Sequence, residues 1–113
     1  MAVVVWSEKA KQDLRSLHLY HFIHSSASFA TRLLIDLVNA ADVLEQTPRV
    51  APVESDFNDL GEIRGLVVRQ KGRKPEYKLM YMITDETCVI LAIWNTRRNP
   101  AAERLTITSG FSN

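Results

Sequence analysis

Hydrophobic spacing along the chain changes character several times, and each change predicts an element. Val3-Val4-Val5-Trp6 is a β-branched and aromatic run, which predicts a short strand. From Ser7 onward the apolar positions fall at helical intervals. Ala10, Leu14, Leu17 and His21 form one stripe, continued around the face by Leu19, Phe22 and Ile23. The Ser7 hydroxyl can accept from the free amides of the first turn, and Glu8 suits the positive end of the helix dipole. Ser25-Ser26-Ala27-Ser28 interrupts the pattern. Ser26 or Ser28 then caps a second helix with Ala30, Leu33, Leu34, Leu37, Val38, Ala41 and Leu44 on its buried stripe. Thr47-Pro48 ends it, because the residue before a proline avoids helical backbone angles. So short a joint between two helices predicts an antiparallel hairpin.

Residues 49–61 (RVAPVESDFNDLG) carry no period and read as a loop. Three strands follow, over about Ile63–Gln70, Glu76–Thr84 and Cys88–Asn95. The polar connections Lys71–Pro75 and Asp85–Thr87 are short, which favours antiparallel hairpins. Cys88–Trp94 is apolar throughout, as expected of a central strand covered on both faces. Pro100 and Ala101–Leu105 are expected to open a short terminal helix, with Thr106–Asn113 as a tail. The fold class is therefore α+β: a β-α-α-β-β-β order in one domain over residues 1–113, its core about 3–105. The N-terminal helical hairpin is laid on one face of a small, mainly antiparallel sheet.

Composition narrows the class. At 113 residues, 46% hydrophobic and 24% charged, the chain is an ordinary globular domain able to bury a core. Its longest apolar run is Cys88–Trp94, too short to span a bilayer. MAVVVWSEKAK does not read as a secretory signal. A single cysteine, Cys88, forms no internal disulfide and fits a reducing cytoplasm. Charge is asymmetric: residues 1–59 carry five Lys/Arg against eight Asp/Glu, and residues 60–113 nine against five. An acidic partner or a polyanion is expected to meet the second half.

That half holds the candidate chemistry. A basic turn (Lys71, Arg73, Lys74) joins the first two ribbon strands, and Arg97-Arg98 follows the last. The turn has no interleaved aromatic, so by sequence it lacks the stacking platform of a single-strand binder. His18, His21 and His24 repeat every three residues, but such steps drift by about 60° around a helix. No acidic or cysteine ligand adjoins them, so no metal or other cofactor is expected. They are also remote in sequence from the basic ribbon. Tyr77 and Tyr81 share a strand face with Leu79 and Ile83, which places them in the core. Were one exposed beside Arg98, it could serve a rearranged nuclease site.

The order of elements resembles the RelE/ParE superfamily of toxins from bacterial type II toxin–antitoxin systems. The matching pieces are Trp6-Ser7 with Ala10 and Asp13-Leu14, Leu44 to Pro48, Glu62-Ile63-Arg64, Tyr77 to Tyr81, Val89 to Ile93, and Arg97-Arg98-x-Pro100. The resemblance implies growth inhibition and plasmid stabilisation, with a cognate antitoxin as partner. It also implies one of two targets, messenger RNA on the ribosome (RelE-like) or DNA gyrase (ParE-like). Cutting RNA beside a 2′-hydroxyl needs a base, cationic donors for the phosphate and an acid for the leaving oxygen. By that resemblance Arg64, Lys78 and Arg98 would be the donors, with Tyr77 or Tyr81 recruited. Yet no Tyr or His follows Trp94, and Arg104, near the expected position, cannot give up a proton. The absence favours a ParE-like toxin that grips a protein. Its expected contacts are Lys71, Arg73, Lys74, Trp94, Asn95, Arg97, Arg98 and Arg104. A decayed toxin that only pairs with its antitoxin is the third reading.

Overall fold

The computed structural model describes residues 1–74 and 76–109. Strand β1 (Val3–Trp6) leads into helices α1 (Glu8–His24) and α2 (Ala27–Val43). A 3-10 helix (Ser55–Leu60) precedes strands β2 (Ile63–Val68), β3 (Tyr77–Thr84) and β4 (Thr87–Asn95), and helix α3 (Pro100–Ser109) follows. The sheet order is β1-β4-β3-β2. β1 lies parallel to β4, and the other two pairings are antiparallel.

Local chemistry explains the elements. Ser7 caps α1, its Oγ accepting from the Ala10 amide at 3.0 Å, while the same hydroxyl donates to the Leu91 carbonyl at 3.3 Å. The cap therefore also fixes the helix start against β4. Of the two serines expected to cap α2, Ser26 does so, accepting from the Phe29 amide at 3.0 Å. Asp85 turns β3 into β4 with a left-handed φ of 56°, a conformation that aspartate tolerates and two-residue hairpins require.

Two apolar clusters cover the two faces of the sheet. The hairpin presents Ala10, Leu33, Leu37, Ala41 and Leu44 to Leu79, Tyr77, Tyr81, Cys88, Ile90 and Ile93. Its outer surface departs from the sequence pattern. Leu19, Phe22 and Ile23 of α1 are each more than half exposed, and Ile35 and Val38 of α2 are also exposed. Only one helix face can reach a flat sheet, so an apolar stripe as wide as that of α1 leaves part of itself outside.

The opposite face is closed by the segment expected to be a loop. Phe57 of the 3-10 helix is fully buried with Ile63, Met80, Leu91, Trp94 and Ile107. Just before it, residues 52–54 run beside β2: the Glu54 amide donates to the Ile63 carbonyl at 2.9 Å, and Val53 bridges Arg64. This covers the sheet edge that β2 would otherwise expose. The terminal helix is longer than expected. It starts at Pro100 behind an Asn99 cap, whose Oδ1 accepts from the Ala102 amide at 2.9 Å, and runs to Ser109. Residues 106–109 of the expected tail are thus helical, with Ile107 in the core; residues 110–113 lie outside the described residues.

Candidate functional site

The expected phosphate donors do not form one site. Arg64 follows the strand alternation of Leu66 and Val68, which pack toward the hairpin. Its Nε donates to Glu62 at 2.8 Å and its Nη1 to the Ala51 carbonyl at 2.7 Å. Arg49 donates to the same Glu62 carboxylate, which both arginines hold below the usual carboxylate range. Lys78 faces the other side of the sheet. Its Nζ donates to Glu54 at 2.9 Å and sits 5.2 Å from the centre of the Trp94 ring. Glu54 reaches it by crossing Gly65, where a Cβ would come within 2.6 Å of the carboxylate oxygen. Arg64 and Lys78 are thus fastened by ion pairs on opposite faces.

The tyrosines are core residues, as their alternation predicts. Tyr81 is fully buried and donates to the Pro48 carbonyl at 2.7 Å. The buried Tyr77 hydroxyl pairs with His21 Nε2 at 2.9 Å. Burial pushes both phenols up and the His21 imidazole down, so the two tyrosines are poor proton donors to any external group. Trp94 is also core. Its ring meets Phe57 edge-to-face at 5.9 Å, and its Nε1 donates to the Arg98 carbonyl at 3.2 Å.

That last bond is one of several that stiffen the turn after β4. The Asn95 side chain accepts from the Arg97 amide at 3.0 Å and its carbonyl from the Arg98 amide at 2.9 Å. The Thr96 amide donates to the Glu76 carbonyl at 2.8 Å. On this rigid turn the arginine side chains remain outside, 78% exposed for Arg97 and 56% for Arg98. Arg97 pairs with Glu76 at 2.8 Å, and Arg98 lies 3.6 Å from Glu103. Of the basic β2–β3 turn, Arg73 lies 4.4 Å over the Phe29 ring, while Lys71 and Lys74 stand exposed. Arg104 is structural: it pairs with Asp59 and donates to the Asp56 carbonyl at 3.2 Å, tying α3 to the 3-10 helix.

The fold brings together residues that the sequence separates. A groove of about 600 Å³ runs between α1 and the ends of β3 and β4. Tyr20, His21 and His24 form its helical wall, and Arg73, Asn95, Arg97 and Arg98 face them from the turns. Asp13 closes one end, accepting from the Ile93 amide at 3.0 Å and pairing with Lys9. His21 and His24 lie far along the chain from the ribbon, and only the fold brings them to it. Their spacing did hold a usable signal: Leu17, Tyr20, His21 and His24 follow i, i+3, i+4, i+7 and share a helix face. His18 falls off that face and does not line the groove.

Among the described residues no cluster of His, Cys, Asp or Glu could hold a metal ion, and no helix is long and apolar enough to cross a membrane.

Comparison with known proteins adds to this geometry. No curated protein matches the chain in sequence. The fold is similar to a solved structure titled "Chromosomal ParDE TA system from P. aeruginosa", with a TM-score of 0.68 at 17% identity, covering 84% of this chain and 96% of that one. At that identity the likeness concerns the fold, which is RelE/ParE-like. The family model described as "ParE toxin of type II toxin-antitoxin system, parDE" matches residues 4–100. With β1 through the Arg97-Arg98 turn inside that match, the chain belongs to the ParE toxin family of type II toxin–antitoxin systems.

Proposed function

We propose that the chain arrests growth by gripping a protein target, DNA gyrase, rather than by cutting RNA. The observation that carries this reading is the state of the acid–base candidates. Both tyrosine hydroxyls are buried and hydrogen-bonded inside the fold, and Arg64 and Lys78 are ion-paired on opposite faces of the sheet. What remains available is a rigid turn bearing two exposed arginines, backed by α3. Arginines of this kind suit a protein interface, where a planar guanidinium reads carboxylates and backbone carbonyls.

The same reading gives the chain a cognate antitoxin. Leu19, Phe22 and Ile23 on α1, with Ile35 and Val38 on α2, form an apolar outer surface that an amphipathic segment would cover. The positive second half of the chain favours an acidic segment and would speed its capture. Both partners place the toxin's action in the cytoplasm.

Induction without antitoxin tests the reading in cells. Filamented cells with damaged DNA and continued protein synthesis are expected. An interfacial arginine contributes about 1–2 kcal/mol, so Arg97→Ala with Arg98→Ala lowers target affinity by on the order of 100-fold and restores growth. Messages cut at ribosomes, with cutting abolished by Arg98→Ala, would refute the proposal.

A further inference from the structure

The groove between α1 and the β3–β4 turns has a chemistry that a protein-gripping arginine pair does not account for. Its carboxylates are already engaged: Asp13 by Lys9 and the Ile93 amide, Glu76 by Arg97. Several donors are not. The Arg73 guanidinium lies 4.4 Å over the centre of the Phe29 ring, and among the described residues it forms no ion pair. Among the described residues Arg98 pairs with Glu103, at 3.6 Å, and its side chain stays 56% exposed. A cavity with engaged acceptors and open cationic donors selects an anion.

The helical wall adds a second requirement. Tyr20, 55% exposed, lies against His24 with ring centroids 4.5 Å apart, and it meets His21 edge-to-face at 5.1 Å. About one turn of α1 thus presents an aromatic wall across the groove from the arginines, with the Tyr20 and His24 rings tilted by 41° to each other. The sequence of the basic turn lacked any stacking partner; the fold supplies one from a segment about fifty residues away. The volume, about 600 Å³, is that of a small-ligand site.

From this juxtaposition we infer that the groove binds a nucleotide unit, its base stacked on the exposed Tyr20 ring with His24 at its edge, and its phosphate held by Arg73 and Arg98. The unit comes either as a free mononucleotide or as one residue of a single strand. No bond is made or broken; the site is a binding site only. The inference shares Arg98 with the protein contact proposed above but does not rest on it, since Tyr20, His24 and Arg73 lie outside the Arg97-Arg98 turn.

Titration of the purified chain tests it, with adenosine monophosphate, a short single-stranded oligonucleotide, inorganic phosphate and an oligo-glutamate peptide as probes. Adenosine monophosphate or the oligonucleotide is expected to bind, the oligonucleotide with affinity that falls as salt rises. Tyr20→Ala and Arg73→Ala should each weaken binding by about tenfold, on the scale of one base stack or one phosphate contact. Arg69→Ala, an exposed residue that does not line the groove, should leave it unchanged. Circular dichroism confirms that each variant is folded. Equal affinity per nucleotide for the two nucleotide probes identifies a free mononucleotide site, and much tighter oligonucleotide binding identifies a strand. Three results would each overturn the inference. They are no binding of either nucleotide probe, affinity unchanged in folded Tyr20→Ala and Arg73→Ala, or phosphate or oligo-glutamate binding as tightly as the nucleotide.

Discussion

Replacing Phe57 with alanine is expected to lower the free energy of unfolding by about 3–5 kcal/mol, a large part of the stability of a domain this size. The side chain is fully buried, and it is the 3-10 helix's anchor in the cluster formed by Ile63, Met80, Leu91, Trp94 and Ile107. Alanine leaves a cavity that a sheet on one side and α3 on the other cannot collapse to fill. The loss should also reach the arginine turn. Trp94 packs edge-to-face on Phe57 and holds the Arg98 carbonyl through its Nε1. Denaturant unfolding followed by circular dichroism measures the effect. A loss below about 1 kcal/mol would mean that the site relaxes and that Phe57 is not an anchor.

The second large effect concerns Glu103 and depends on pH. Its side chain is fully buried, and neither carboxylate oxygen has a hydrogen-bond partner among the described residues. Burial pushes its pKa up from 4.5 to about 7, with Asp13 acting in the same direction, while Arg98 and Lys9 oppose the shift. The folded chain therefore holds this proton more tightly than the unfolded chain does. Stability from this group is fully present below about pH 4.5 and is lost as pH rises to about 7. A shift of this size corresponds to about 3 kcal/mol. Glu103→Gln removes the titration, so the variant should lose less stability than the wild type between pH 5 and pH 8. At pH 8 it should be the more stable by about 1–3 kcal/mol. His21, whose pKa burial lowers, acts in the opposite sense below its ordinary value of 6.5. It is common to both proteins and cancels in the comparison. Parallel pH profiles for the two proteins would show that Glu103 does not ionise across this range in the fold.

Neither effect was legible in the sequence, for related reasons. Phe57 sits among Ser55, Asp56, Asn58 and Asp59, and one apolar residue in a polar stretch has no period to announce it. Glu103 occupies the first turn of a short helix, where an acid is ordinarily a solvated partner of the helix dipole. What made each of them core is the second face of the sheet, and the apolar pattern of β4 only said that such a cover must exist. The hairpin and the strands, by contrast, were readable because their periods repeat. Val3 to Trp6, the stripe from Leu33 to Leu44 and the unbroken Cys88–Trp94 run each specify an element and a buried face. Tyr77 and Tyr81 were placed correctly by alternation alone. Val38, expected on the buried stripe of α2, is exposed, since periodicity reports an apolar face but not whether anything in the same chain covers it. The groove needed topology. Arg97 and His24 lie more than seventy positions apart, and only the packing of α1 along β4 puts them across one cavity.

In the proposed function the arginine turn grips a protein and the buried tyrosines do no chemistry. The most direct measurement gives the purified chain, side by side, purified gyrase with supercoiled and relaxed DNA, and translating ribosomes with a defined message. Inhibition of supercoiling with accumulation of gyrase–DNA cleavage complexes, lost in the Arg97→Ala, Arg98→Ala variant and accompanied by intact message, is the predicted result. Cleavage of the message on the ribosome with gyrase unaffected would contradict it.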